Sequence, residues 1–206
     1  MMRLPVIALV LLATAGARAQ EDAAPSADPT KVRAGAYVLD PAHGKITWSV
    51  SHLGYSTYYG QITDVAAKLD LDPKEPARSR LTATIGMASI SGINAALDAH
   101  MRGPDFFAVA GFPAATFTGT GIEPTSPTTA RVTGDLTLKG VTRPVAFDAT
   151  FNQSGVNPID RRYTVGFDGR AVIKRSEFGI TAFLPAVGDE VTLRLEGEFK
   201  AATPTP

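Results

Sequence analysis

The feature that most constrains this chain is an alternation of apolar and polar residues with a period of two. Ile46, Trp48 and Val50 show it clearly, because a polar residue follows each of them. The same pattern recurs near residues 65–71, 80–87, 115–118, 131–138, 145–151, 162–174 and 190–200. Successive side chains of a strand point to opposite faces, so this pattern with one polar face is typical of antiparallel sheet.

The spacing of these segments predicts how the sheet is closed. Turn-forming residues separate the segments, and Lys139-Gly140 predicts a tight hairpin. Eight or nine consecutive strands can bury one face either in a sandwich or in a closed barrel. Several segments are longer than most sandwich strands. We therefore predict an all-β fold, an extended eight-stranded antiparallel barrel over residues 35–201.

The predicted inner face of the barrel mixes large and small residues. An eight-stranded barrel is wide enough either to be filled by its own side chains or to hold one slender ligand. The small residues on this face are Ala67, Ala83, Gly134, Ala149, Gly169 and Ala171. They either leave room for a ligand or taper the packing around large side chains such as Trp48 and Phe147.

One stretch, at about residues 93–107, departs from the alternation and predicts a short α-helical insertion. Leu97 and Met101 are four residues apart, as on one helix face. Asn94 is suited to the N-cap, and Gly103 precedes a proline that stops the helix. Asp98 and Arg102 have the spacing of an ion pair. We expect this insertion to lie over one end of the barrel as a lid.

The N-terminus predicts export. Leu4 to Ala13 is almost wholly apolar and Ala17-Arg18-Ala19 forms a cleavage site, so residues 1–19 read as a signal peptide cut after Ala19. The apolar run is shorter than the roughly 20 residues of a membrane span. Residues 20–34 and 202–206 predict a disordered linker and tail. We therefore expect a periplasmic protein without an integral membrane span.

Composition and motifs exclude several classes of function. The chain has 20 basic and 20 acidic residues, which gives no basic surface for nucleic acid. It has no cysteine, no Gly-x-Ser-x-Gly elbow and no phosphate-binding loop. His52, Asp98 and His100 could form a metal or catalytic site, although residues two apart on a helix point in different directions. We predict no catalytic or metal-binding residue and no cofactor, and we keep an extracytoplasmic enzyme acting on a lipid or amide through these three residues as the alternative.

Several motifs resemble those of the YceI-like, polyisoprenoid-binding family, in the family's order. They are Tyr37-x-Leu39-Asp40-Pro41-x-His43, Val50-Ser51-His52-Leu53-Gly54, Leu97-Asp98-x-His100-Met101-Arg102, Asp105-Phe106-Phe107, Phe112-Pro113, Gly134 to Val145, and Arg175-Ser176-Glu177-Phe178-Gly179. The resemblance covers about residues 37–200. It implies a lipocalin-like barrel in the periplasm whose tunnel holds a long isoprenoid, such as a polyprenyl phosphate or a quinone, and it also suggests a homodimer.

Together the pattern and the resemblance predict a binding or carrier protein whose only bound molecule is an isoprenoid lipid. The predicted tunnel residues are Trp48, Val50, Ile85, Met87, Leu97, Met101, Phe106, Phe107, Phe117, Leu136, Phe147, Ala149, Phe151, Phe167 and Leu193. Ala149 is the small position past which we expect the lipid to run. The predicted residues at the mouth, near the lipid head group, are His52, His100 and Arg102.

Overall fold

The structure, a computed structural model, describes residues 24–202. The predicted signal peptide, the first part of the predicted linker and the last four residues lie outside the described residues.

The described chain is mostly antiparallel sheet with one short α-helix. The helix, α1, spans Ala95–Arg102. The strands are β1 Gly35–Leu39, β2 Lys45–His52, β3 Ser56–Ile62, β4 Val65–Leu71, β5 Arg80–Gly86, β6 Ala114–Pro124, β7 Thr129–Leu138, β8 Val141–Val156, β9 Tyr163–Lys174 and β10 Val187–Ala201. Short 3₁₀ turns at Pro29–Lys31, Pro76–Arg78, Met87–Ser89 and Arg175–Phe178 complete it.

These ten segments occupy eight positions in a closed barrel. β1 and β2 are successive pieces of one barrel strand, because both pair with β10. β3 and β4 form the next barrel strand in the same way, beside β2 and β1 respectively. From β4 to β10 each strand pairs with the one that follows it, and β10 returns to β1. The predicted eight-stranded antiparallel barrel is confirmed.

The helical insertion lies in the connection between β5 and β6, which pair directly with each other in the barrel wall. The side chain of Asn94 accepts a hydrogen bond from the Leu97 amide at 3.0 Å, so the predicted N-cap is confirmed, and the helix ends before Gly103 as expected. Met101 is buried against the inner face of the barrel. Because Gln61 pairs with Ser91 just before the helix, the insertion is fixed to the edge of β3.

The interior is divided into two apolar cores. We call the one beneath α1 the upper core; it consists of Trp48, Ile62, Ile85, Met87, Ile90, Met101, Ala115, Leu138, Phe178 and Ile180. The lower core, at the other end of the barrel, consists of Tyr37, Leu39, Leu69, Val156, Tyr163, Val165 and Phe199. Two sets of side chains therefore stabilise the two ends separately.

The chain before β1 packs against the lower end, which corrects the prediction of a disordered linker for residues 24–34. Ser26 exchanges two backbone hydrogen bonds with Ser154, of 2.8 and 2.9 Å. The Tyr163 hydroxyl donates to the Lys31 carbonyl at 3.1 Å, and Val32 packs on the lower core. A composition poor in large apolar residues indicated disorder, but these few tertiary contacts order the segment. We call residues 24–34 the lower cap.

Candidate functional site

An apolar cavity of about 400 Å³ lies between the upper part of the barrel and α1. Its walls come from β2, β3, β5–β7, β9, β10, the helix and the segment before β10. The lining residues are Ile46, Trp48, Val50, His52, Leu53, Tyr58, Ile62, Ile85, Met87, Ile90, Leu97, His100, Met101, Phe106, Phe107, Ala115, Leu136, Leu138, Ile173, Arg175, Ile180, Phe183, Ala186, Val187, Val191 and Leu193. The cavity falls in the size range of small-molecule sites.

Ten of the fifteen predicted tunnel residues line this cavity. They are Trp48, Val50, Ile85, Met87, Leu97, Met101, Phe106, Phe107, Leu136 and Leu193. The strand residues among them follow the predicted alternation, and those of the insertion come from α1 and the turn after it. The structure therefore brings together the residues that pattern alone had assigned to separate elements.

The other five predicted residues, Phe117, Phe147, Ala149, Phe151 and Phe167, lie outside the cavity lining. The ring of Phe117 fills the space beside Gly134, where an added Cβ would lie 2.3 Å from the ring. It also lies 5.8 Å from the Phe147 ring, between centroids. Gly134 therefore accommodates an aromatic ring at this level rather than a ligand.

Phe151 and Phe167 belong to the lower end of the barrel. Their ring centroids are 5.9 Å apart, and Phe167 lies 6.2 Å from Phe199 of the lower core. No residue of the lower core lines the cavity within the described residues 24–202. The cavity is therefore shorter than the predicted tunnel, because it lies in the upper part of the barrel and does not extend into the lower core.

The mouth of the pocket is formed by His52, Leu53, His100 and Phe183, which are exposed and also line the cavity. Leu53 is 51% exposed and Phe183 is 58% exposed. The His100 ring meets Phe106 edge-on at 5.1 Å and Phe183 at 5.9 Å. Two of the three predicted mouth residues lie here, whereas Arg102 is exposed and does not line the cavity.

The helix is fixed over the pocket by Asp98. This side chain is 8% exposed, and its two oxygens accept hydrogen bonds from the Gly92 amide at 2.7 Å and from the Ser91 hydroxyl at 2.8 Å. Both bonds lower the pKa of the Asp98 carboxyl, and the bond from the Gly92 amide has the larger effect. The predicted ion pair with Arg102 is corrected, because Asp98 faces the preceding loop and Arg102 acts on it only by longer-range attraction. α1 with this anchor is the lid of the pocket.

The three residues of the enzyme alternative each have other neighbours. Asp98 is hydrogen-bonded to the loop before the helix, as described. The Nε2 atom of His100 lies 3.3 Å from an Asp105 oxygen, and the His52 ring lies 6.2 Å from the Tyr58 ring. His52 and His100 thus lie at the mouth of the pocket, whereas Asp98 faces the loop before the helix and does not line the cavity.

A group of metal-ligand types does occur elsewhere, at the break between β1 and β2. Asp40, His43 and Glu198 form this group, and within residues 24–202 they are the one set of three such residues whose ligand atoms lie within 4.8 Å of one another. The Lys200 ammonium lies 2.6 Å from Asp40, so a protein cation already neutralises this carboxylate. The hydrogen bond from Lys200, followed by that from His43, lowers the pKa of Asp40 strongly.

Comparison with known proteins places this chain in a family. The family model of the YceI-like domain matches residues 37–199. The chain belongs to the YceI-like family. A relative named UPF0312 protein, from Ectopseudomonas mendocina, is 37% identical over 164 residues, which are 79% of this chain and 85% of the relative.

Solved structures share the YceI-like fold. The structure of BcnA from Burkholderia cenocepacia matches with a TM-score of 0.70 and 27% identity, over 80% of this chain and 99% of that one. A polyisoprenoid binding domain from Saccharophagus degradans matches with a TM-score of 0.60 and 13% identity, over 82% of this chain and all of that one. At that identity the second likeness concerns the fold alone. No helix of the described YceI-like chain is long and apolar enough to cross a membrane.

Sequence reasoning missed one wall of the pocket. Arg175, Ile180, Phe183 and Ala186 line it from the segment between β9 and β10, and Val187 lines it from the start of β10. Residues 179–186 have no periodic pattern that predicts an inner face. The available signal is the motif Arg175-Ser176-Glu177-Phe178-Gly179, which the family resemblance singles out but no periodic pattern does.

Proposed function

We propose that this YceI-like protein binds the end of an isoprenoid-type lipid, such as a polyprenyl phosphate or a quinone, and carries it in the periplasm. The observation that carries the proposal is the apolar pocket of about 400 Å³, with an exposed mouth and a helical lid. The small-molecule range of ligand pockets includes this volume. A barrel that served only as a scaffold would have its upper half filled, as its lower half is.

The chemistry of the lining favours a lipid over a polar metabolite. Each methylene group moved from water into an apolar site contributes about 0.8 kcal/mol. Ten such groups contribute about 8 kcal/mol before the costs of association are subtracted. An aliphatic chain can therefore bind here with little polar recognition. The fold shared with a polyisoprenoid binding domain supports the isoprenoid class.

The location is part of the proposal. A signal peptide over residues 1–19 would deliver the protein to the periplasm, and its near-neutral composition suits a lipid better than a nucleic acid. We propose binding and transfer rather than catalysis. The homodimer implied by the family resemblance stays a prediction.

Trp48 provides the test, because it is the chain's one tryptophan and it lines the pocket. Purified, delipidated protein is titrated with farnesol while the indole fluorescence is recorded. We expect a saturable change in the emission spectrum, and competition when a longer polyprenol is added. Lipid extraction and mass spectrometry of protein purified from its own periplasm then identify the natural ligand. A spectrum unchanged by every isoprenoid, together with a lipid-free native protein, would refute the proposal.

A further inference from the structure

Three loops at the mouth of the pocket present large apolar side chains to solvent. Leu53 and Tyr55 belong to the turn between β2 and β3, and Phe183 belongs to the segment before β10. Ile93 directly precedes the N-cap of α1. Tyr55 and Ile93 are each 91% exposed, and the other two are about half exposed. We call these four residues the rim.

The rim is continuous with the apolar lining of the pocket, because two of its members line the cavity themselves. The amide of Tyr55 donates to the carbonyl of the mouth residue His52 at 3.0 Å. Gly92, the neighbour of Ile93, accepts a hydrogen bond at 2.9 Å from the hydroxyl of Tyr58, which also lines the cavity. Apolar side chains therefore extend from the inside of the pocket to its outer edge.

The stretches of chain that carry the rim contain no acidic residue, lysine or arginine. The chain has 20 lysines and arginines and 20 acidic residues, yet none of them lies in residues 46–63, 81–97 or 178–188. The loop at the opposite end of the barrel, residues 157–162, instead contains one aspartate and two arginines. Removing a charge from water is costly, so the uncharged rim can leave water far more readily than that loop.

The backbone of the rim is unusual as well. Leu53, Ile93 and Phe183 have φ angles of 54°, 62° and 61°. Residues other than glycine, asparagine and aspartate seldom adopt this left-handed conformation, and in a β-branched residue such as isoleucine it is strained. Because Ile93 is almost fully exposed, contacts inside the protein do not offset this strain. Strained residues cluster at functional sites, which indicates a contact made outside the protein.

We propose that the rim docks on the surface of a phospholipid bilayer, so that the mouth of the pocket faces the membrane. Exposed apolar patches mark sites of protein or membrane contact, and tyrosine is enriched where membranes meet water. A bilayer is the occupant that fits, because two rim residues form the mouth and a water-insoluble lipid can pass there directly from the membrane. This inference rests on the proposed function and adds the route by which the lipid enters and leaves.

The test measures docking separately from lipid binding. Exported, delipidated protein is sedimented with phosphatidylcholine vesicles that contain no isoprenoid, at one fixed pH. We expect association that changes less than about twofold when half of the lipid is replaced by anionic phosphatidylglycerol, because the rim is uncharged. The double variant Tyr55→Ser with Ile93→Asn should weaken association about tenfold or more. Its farnesol affinity, from Trp48 fluorescence, should stay within about twofold because neither residue lines the cavity.

The matched control is Ile159→Asn, because this isoleucine is also 91% exposed but lies in the loop at the opposite end of the barrel. It should leave vesicle association within about twofold. Ile93→Asn alone should not lower the melting temperature, because asparagine tolerates the left-handed backbone.

Wild type that stays in the supernatant would overturn the inference whatever the variants do, and so would a double variant that sediments as wild type does. Association that requires phosphatidylglycerol would refute docking by an uncharged rim. Self-association without vesicles that the double variant abolishes would assign the rim to a second copy of the chain instead. Loss of farnesol binding with vesicle association intact would refute the proposed function and leave docking standing.

Discussion

The division between an open upper pocket and a filled lower core predicts opposite outcomes for the same added ring. Ala115 on β6 lines the pocket, whereas Val165 on β9 has no exposed surface and lies in the lower core. An apolar cavity of about 150 Å³ accepts a benzene molecule, so a phenyl ring fits within the 400 Å³ pocket. Ala115→Phe should therefore change the unfolding free energy of the delipidated protein by less than about 1 kcal/mol, since ring burial offsets local adjustment. Val165→Phe should cost about 1–3 kcal/mol or more.

The lipid affinity of Ala115→Phe, unlike its stability, should fall strongly. If the ring at position 115 displaces only three methylene groups of the ligand, the loss is about 2.4 kcal/mol, or about fiftyfold in Kd. Denaturant unfolding of the delipidated proteins measures stability, and farnesol titration measures affinity. A strongly destabilised Ala115→Phe would mean that the pocket cannot accept added volume. An Ala115→Phe protein with wild-type stability and wild-type affinity would mean that the lipid binds elsewhere.

Two further predictions concern the lid. Asp98→Asn removes a carboxyl whose pKa is lowered by folding, chiefly by the hydrogen bond from the Gly92 amide. The stabilisation from this carboxylate is present above the unfolded pKa, near 3.9, and is lost as pH falls through the folded pKa, so the variant should lose less stability than wild type on acidification below about pH 4. Equal slopes of melting temperature against pH for the two proteins would contradict this. Asn94→Ala removes the N-cap hydrogen bond to the Leu97 amide, which contributes about 1 kcal/mol, so it should speed hydrogen exchange in α1 by about fivefold and hasten lipid release. The control is Asp28→Ala, which removes the equivalent N-cap bond of the 3₁₀ turn in residues 24–34 and should leave lipid release unchanged.

Much of the fold follows from local rules. The alternation predicts the barrel because a strand has only two faces, and one of them must be buried. The helix is predicted because Asn94, Leu97 and Met101 form a local unit whose cap and spacing do not depend on distant residues. These features require only neighbours along the chain.

The features that could not be predicted depend on contacts between residues that are far apart in the chain. Alternation assigns Phe117 and Phe151 to the inner face but does not give their height in the barrel, and height decides whether a residue meets the pocket or the filled half. Asp98 had the spacing of an ion pair with Arg102, yet the buried Gly92 amide needed an acceptor, and an exposed ion pair contributes little. The wall around Phe183 comes from a segment without any repeating pattern.

The lower cap closes the lower end of the barrel, and a closed end determines which part of a long lipid can be recognised. A channel open at both ends would admit the middle of a chain and let it slide through. A pocket closed below can accept only a terminus, which must leave by the way it came. Affinity should then rise with isoprenoid length until the pocket is full and stay constant for longer chains, whose remaining units extend past Leu53 and Phe183 into the surroundings. We therefore expect the protein to select lipids by the identity of their ends and to tolerate wide variation in their length.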